Sequence, residues 1–212
     1  MNLLRLPRRL KKTAMNTSPQ VFSSLTLDTE RLILRPLAND DANDLLEVFS
    51  DPRVMRYWST GPWQDISEAQ QLIDRDLKAM ATSDYLRLAL VLKDTQKLIG
   101  HCSIFNISQQ SRRAELGYGM GYDSWGQGYM HEALSRVVAF AFDELGLNRL
   151  EADIDPRNLH SQRSLERLGF QQEGFLRERW IVGDEVSDTA LFGLLCREWR
   201  AKHAAVRGLE KP

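Results

Sequence analysis

Residues 114–142, AELGYGMGYDSWGQGYMHEALSRVVAFAF, limit the possible folds of this chain more than any other stretch. They read as a strand, a glycine-rich turn and a long helix. The helix carries apolar residues at Ala133, Leu134, Val137, Val138, Ala141 and Phe142, which is helical spacing. Gly126 and Gly128 allow a tight turn and a close approach of backbone to a ligand. The first N–H groups of a helix have no partner within it, so a helix opened this way offers donors to a phosphate. The same glycines also suit a plain strand-to-helix connection, and the rest of the chain has to decide between the two.

Around this unit the elements alternate. Residues 31–37 have the period of a strand. Asn39 and Asp40 are placed to cap a helix ending near Phe49. Ser67 begins a second helix reaching about Met80, with Asp65 and Glu68 near its start, where the helix dipole favours acids. Residues 85–92 and 98–105 are strands joined by the polar loop KDTQK, and 112–120 is a third. After the glycine-led helix come a strand at 149–154, a helix at 158–168 and a closing strand pair at 169–182 and 185–196. A parallel strand–helix–strand unit over 112–154 needs a right-handed crossover, and the hairpins on either side make the sheet mixed. GxGxxG is not completed, because Gly119 and Gly121 are followed by Ser124, and Gly126 and Gly128 by His131. GxxxxGK[ST] is absent as well, so triphosphate hydrolysis lacks its main device.

At 212 residues one domain is expected, over 25–200, with a flexible basic extension at 1–24 and a tail at 201–212. A net charge of −1 creates no whole-molecule field for nucleic acid or an anionic membrane. The start, MNLLRLPRRLKK, lacks the continuous apolar core of a secretory signal. It reads as a basic arm or as sequence upstream of a start at Met15. A cytoplasmic location is expected. Cys102 and Cys196 sit in apolar strand-like segments and the four histidines form no zinc-ligand spacing, so no metal is expected.

WGQGYMHEAL resembles the [QR]xxGx[GA] motif of the GNAT acetyltransferases, and NLHSQRSLERLGF resembles their NxxSxxxxEKxGF motif. LDTERLILRPL and DTALFGLLCREW are similar to the branch holding the ribosomal-protein N-terminal acetyltransferases RimJ and RimL. The resemblance spans about residues 27–199. It implies an α/β fold: a strongly twisted mixed sheet of about seven strands, helices on both faces, and central parallel strands splayed to admit acetyl-CoA. It further implies that the backbone of Gly126, Gln127, Gly128, Tyr129, Met130 and His131 holds the diphosphate. The backbone around Gly119 and Met120 would take the pantetheine arm and polarise the thioester carbonyl, and Asn158 would reach the thiol region. Trp125 and Met130 depart from the superfamily pattern, although the tryptophan is common in the RimJ/RimL branch. The tyrosine that many members use as an acid is replaced by Leu165.

Transfer of acetyl to an amine requires a neutral amine, a polarised carbonyl and a proton for the leaving thiolate. An α-amino group titrates near ~8 and needs only a modest base. Glu115 is the candidate base; it reads equally as a strand glutamate paired with Arg112 or Arg113. Ser161 is the candidate acid, or else a polar residue in a helix capped by Asn158. Tyr57 and Trp58 fall where the branch builds a wall against the acceptor, although aromatics in such a segment also serve as loop anchors. The expected activity is direct acetyl transfer to a protein N-terminus, ribosomal in type. The alternatives are a small amine (aminoglycoside, polyamine or amino-acid derivative) or a non-catalytic acyl-CoA sensor. The family often pairs, which implies a homodimer.

Overall fold

The computed structural model describes residues 22–80 and 85–209, so the expected basic extension lies almost wholly outside the described residues. One sheet of eight strands runs in the order β1-β2-β3-β4-β5-β6-β8-β7. The strands are β1 (Leu27–Asp28), β2 (Leu32–Arg35), β3 (Leu86–Leu92), β4 (Leu98–Ser108), β5 (Arg113–Met120), β6 (Arg149–Ile154), β7 (Gln171–Val182) and β8 (Glu185–Leu195). The eighth strand, one more than the sequence predicts, is the two-residue β1, which pairs with β2 and is too short to show a period. The helices are α1 (Ala42–Phe49), α2 (Pro52–Met55), α3 (Ile66–Met80), α4 (Tyr129–Asp143), α5 (Leu159–Leu168) and α6 (Cys196–Leu209).

Neighbouring strands are antiparallel except β5 and β6, which α4 connects. Their parallel pairing covers only Arg113↔Arg149, Ala114↔Leu150 and Glu115↔Glu151. Beyond Glu115 and Glu151 the two strands part. This opening in the middle of the sheet is the feature that positions the site.

Two apolar cores lie on opposite faces of the sheet. Leu86, Leu88, Leu90, Leu116 and Met120 pack with α4 and α5. Ala89, Val91 and Leu98 pack with α1 and α3. The alternation along β3 assigns successive side chains to the two cores. Local signals end the helices as expected: Asn158 Oδ1 caps α5 by accepting from Ser161 N–H at 3.1 Å, and Gly169 closes it at φ +103°. At α3, Asp65 accepts from Ser67 N–H at 2.8 Å while Glu68 reaches back to Gln64 N–H at 2.7 Å. At α1 the N-cap position falls to Asp41, not Asn39 or Asp40, and its side chain makes no capping bond to the helix. Asp41 accepts from Ala38 N–H and is held by Arg35 at 2.7 Å. No helix among the described residues is long and apolar enough to cross a membrane.

Candidate active site

The glycine turn does what its residue types permit. Gly126 and Gly128 sit at φ +75° and +84°, a region that side chains with a Cβ rarely adopt. Gly128 opens α4, and no side chain caps the helix there. The N–H groups of Tyr129, Met130 and His131 therefore keep no intrahelical partner and face outward at the positive end of the helix dipole. The side chain of Met130 is buried beneath this turn, so only its backbone is on offer. That would suffice for an anion, which the N–H groups of a helix start can hold without side chains.

The opening between β5 and β6 adds a second set of backbone donors. Gly121 N–H donates to Ile99 at 2.9 Å, and β4 pairs with β5 in the register Gly100↔Met120 and His101↔Gly119. Alternate residues of an antiparallel strand face one neighbour. Gly117, Gly119 and Gly121 therefore bond to β4, while Tyr118 and Met120 turn their N–H groups to the side where β6 has moved away. The amide facing the gap is thus that of Met120, with Gly119 occupied by β4. Trp125 ties this strand end to the turn: its indole N–H donates to the Met120 carbonyl at 2.7 Å, and its ring lies 6.0 Å from His160 on α5.

A cleft of about 790 Å³ leads from the opening to the α3 side of the sheet. Glu115, Asn158, Ser161, Tyr57 and Trp58 all line it. Sequence reasoning missed Tyr118, whose phenol oxygen is 2.7 Å from Ser161 Oγ and 3.2 Å from the Ser161 carbonyl. Burial pushes the Tyr118 phenol up to about 12, against the opposing effect of the Ser161 hydrogen bond. The phenol stays protonated at neutral pH. Leu165, at the position of the missing tyrosine, is fully buried in the core. The structure thus brings a hydroxyl pair to the site from β5 and α5, with no local spacing to announce it.

Glu115 is not paired with Arg112 or Arg113. Arg113 bonds Glu151 at 2.9 Å, whereas Glu115 accepts from Asn106 Nδ2 at 2.9 Å. Asp153 on β6, also missed, lines the same cleft; burial and then the Glu115 charge push its carboxyl up, against Arg179 and Trp180. Tyr57 lies beneath Arg157, whose guanidinium carbon is 5.7 Å from the ring centroid. Trp58 packs among Phe49 and His101 at 5.4 and 5.7 Å between ring centroids. A Cβ placed on Gly119 would lie 2.6 Å from Trp58 Cζ2, so the glycine is needed for the tryptophan to rest on the strand. Gly119→Ala is expected to cost about 1–3 kcal/mol of stability and to raise KM for the acceptor as Trp58 shifts. Denaturant unfolding and acceptor titration measure the two effects.

Behind the cleft wall, Nε of Arg87, which lines the cleft, and Oδ2 of buried Asp76 on α3 lie 3.1 Å apart but at an angle that makes no hydrogen bond. Burial, with Arg87 nearby, holds His101 well below the usual histidine range. It is therefore neutral at pH 7.

Residues 31–171 match the model of the acetyltransferase (GNAT) domain family. An uncharacterized N-acetyltransferase, p20, of Bacillus licheniformis is 38% identical over 178 residues, covering 82% of this chain and 98% of that protein. The [ribosomal protein uS5]-alanine N-acetyltransferase of Escherichia coli is 25% identical, covering 82% and 92%. The spermidine N(1)-acetyltransferase of Vibrio cholerae is 24% identical, covering 74% and 89%. Among solved structures, a GCN5-related N-acetyltransferase from Brucella melitensis superposes with a TM-score of 0.76 at 25% identity, covering 89% of this chain and 86% of that one. With the parted parallel strands, the uncapped glycine turn and the family match agreeing, the chain belongs to the GNAT acetyltransferases.

Proposed function

We propose that the protein is an N-acetyltransferase of the RimJ/RimL type that moves acetyl from acetyl-CoA to the N-terminal amine of a protein. The observation that carries the acceptor class is the charge of the cleft. Its lining holds four arginines (Arg56, Arg87, Arg157, Arg179) and four carboxylates (Glu115, Asp153, Asp155, Glu185). A polyamine would bind best where acids are in excess; a chain end carrying one positive charge needs only one acid beside its amine. The relation to the uS5-alanine enzyme, whose length is almost fully covered, supports the same acceptor.

The residues fit acetyl-CoA: free N–H groups at Gly128–His131 suit a diphosphate, and the gap beside Met120 admits a narrow arm. Acetyl-CoA, when bound, supplies the activated acyl group as a thioester. Met120 N–H is oriented to polarise the thioester carbonyl, and one such donor is typically worth about 100- to 1,000-fold in rate. Glu115 takes a proton from the acceptor ammonium, directly or through water. Ser161 gives its proton to the departing sulfur, with Tyr118 at 2.7 Å fixing the hydroxyl and standing ready to resupply it. Both cysteines lie outside this machinery, Cys102 in the core and Cys196 at the start of α6, so a covalent acetyl-enzyme has no nucleophile there.

Thiol release from acetyl-CoA, measured against peptides beginning with Ala or Ser and against aminoglycosides and polyamines, tests this reading. Turnover on peptides is expected. Turnover confined to a small amine would replace the acceptor, and binding without turnover on any of them would favour a sensor. In an active enzyme, Ser161→Ala is expected to lower kcat about 100-fold and Tyr118→Phe by a smaller factor. The double variant is expected to be no worse than Ser161→Ala alone, because the two hydroxyls act as one unit. Additive losses would separate their roles.

A further inference from the structure

Arg31 stands just before β2, far along the chain from the glycine turn, yet its contacts converge on that turn. Its backbone N–H and its Nε donate to the two carboxylate oxygens of Glu132, each at 2.7 Å. Its Nη1 donates to the Gln127 carbonyl at 3.0 Å. Its guanidinium carbon lies 4.4 Å from the centroid of the Tyr129 ring. One side chain thus clasps a carbonyl of the turn, its first helical residue and an acid of the first helical turn.

Two physical consequences follow for an anion at this place. In a trans peptide the carbonyl and the next N–H point in opposite directions. With the Gln127 carbonyl drawn to Arg31, the N–H of Gly128 is driven to the opposite side of that peptide plane, away from the guanidinium. The second consequence concerns charge. Glu132 puts a carboxylate in the first turn of the helix whose N-terminus must attract a diphosphate. Its side chain is only 17% exposed, so water screens that charge poorly and an opposite charge has to offset it. Burial alone would raise the Glu132 carboxyl, but hydrogen bonds from Thr29 and from the Arg31 backbone and guanidinium outweigh it and keep the group ionised. Without Arg31 the turn would carry an uncompensated negative charge.

We propose that Arg31 is a positioning residue for the cofactor-binding turn: it sets the Gln127–Gly128 peptide plane and cancels the Glu132 charge, so that the start of α4 accepts the diphosphate of CoA. This rests on the acetyl-CoA reading above. Arg31 itself makes no contact with the ligand in this scheme.

The test is calorimetric titration of CoA into the full chain and its variants, with a thermal melt of each. Arg31→Ala is expected to weaken CoA binding about 10- to 100-fold, the scale of an unbalanced like-charge contact. The double variant Arg31→Ala with Glu132→Gln is expected to regain most of that loss, because the offending charge has gone. A purely structural clasp would show no such rescue. Arg31→Gln keeps a donor for Gln127 without the charge, and serves if Arg31→Ala melts at working temperature. CoA affinity within twofold of the unaltered chain in Arg31→Ala or Arg31→Gln overturns the proposal. So does a double variant as weak as Arg31→Ala. Failure of the unaltered chain to bind CoA overturns the cofactor reading first, and the proposal with it.

Discussion

Glu115→Gln is expected to lower turnover of a peptide amine at pH 7 by about 100-fold or more, with CoA affinity unchanged. The substitution keeps the hydrogen bond at Asn106, 2.9 Å from the carboxylate, and removes only the ability to take a proton. Its pH dependence is the sharper prediction. An α-amine titrates near ~8, so above that pH the acceptor arrives already neutral and a base has less to do. The deficit of Glu115→Gln should therefore shrink as pH rises from 7 to 9. A lysine acceptor, near ~10.4, would keep the full deficit over that range. Initial rates of thiol release across this window, for both chains, measure it. Should Glu115→Gln retain its rate while Asp153→Asn loses it, the base is Asp153, which shares the cleft and whose carboxyl burial already pushes up.

The largest effect on stability is expected at Phe140. It lies on α4, is fully buried, and belongs to the core that joins α4 to β5 and β6. Phe140→Ala removes a ring that the surroundings can replace only in part, at a cost of about 3–5 kcal/mol. Against a total of roughly 5–15 kcal/mol for a domain, such a loss leaves part of the population unfolded. At about 2–4 °C per kcal/mol for a chain of this size, the melting midpoint should fall by roughly 6–20 °C. CoA should restore part of this, because a ligand of the native state stabilises it by mass action. Denaturant titration with and without CoA reads both effects. A loss below ~1 kcal/mol would mean that the core between α4 and the sheet repacks freely.

Much of this arrangement is legible along the chain. The stripe Ala133, Leu134, Val137, Val138, Ala141 and Phe142 is buried throughout, because helical spacing alone decides which residues share a face. Met130 and Phe140 are buried as well: Met130 lies on the same face, three and four residues before Ala133 and Leu134, and Phe140 falls at its edge beside Ala133. Positive φ at Gly126 and Gly128, and the cap at Asn158, are likewise local matters of backbone sterics and short hydrogen bonds. Before α1 the sequence offers Asn39 and Asp40 as caps, yet the N-cap position falls to Asp41. Its carboxylate makes no cap bond to α1, being held instead by Arg35 on β2 and by the Ala38 N–H.

Apart from the two-residue β1 and the one-turn α2, the sequence by itself determined the elements of the sheet and the helices around the site, their order, the glycine turn and the identity of the family, since each rests on residues within a few positions of one another. Tertiary structure decided everything that depends on distant segments meeting. Pairing of β5 with β6 stops at Glu115 and Glu151, and no local spacing states where parallel strands part. Tyr118 meets Ser161, and Arg31 meets Gln127 and Glu132, only because the sheet sets their strands beside α5 and α4. Glu115 is left beside Asn106 because Arg113 is taken by Glu151 on the neighbouring strand. A side chain's partner is set by which charges and hydroxyls the fold brings within about 3 Å, and that distance is a property of the packed chain.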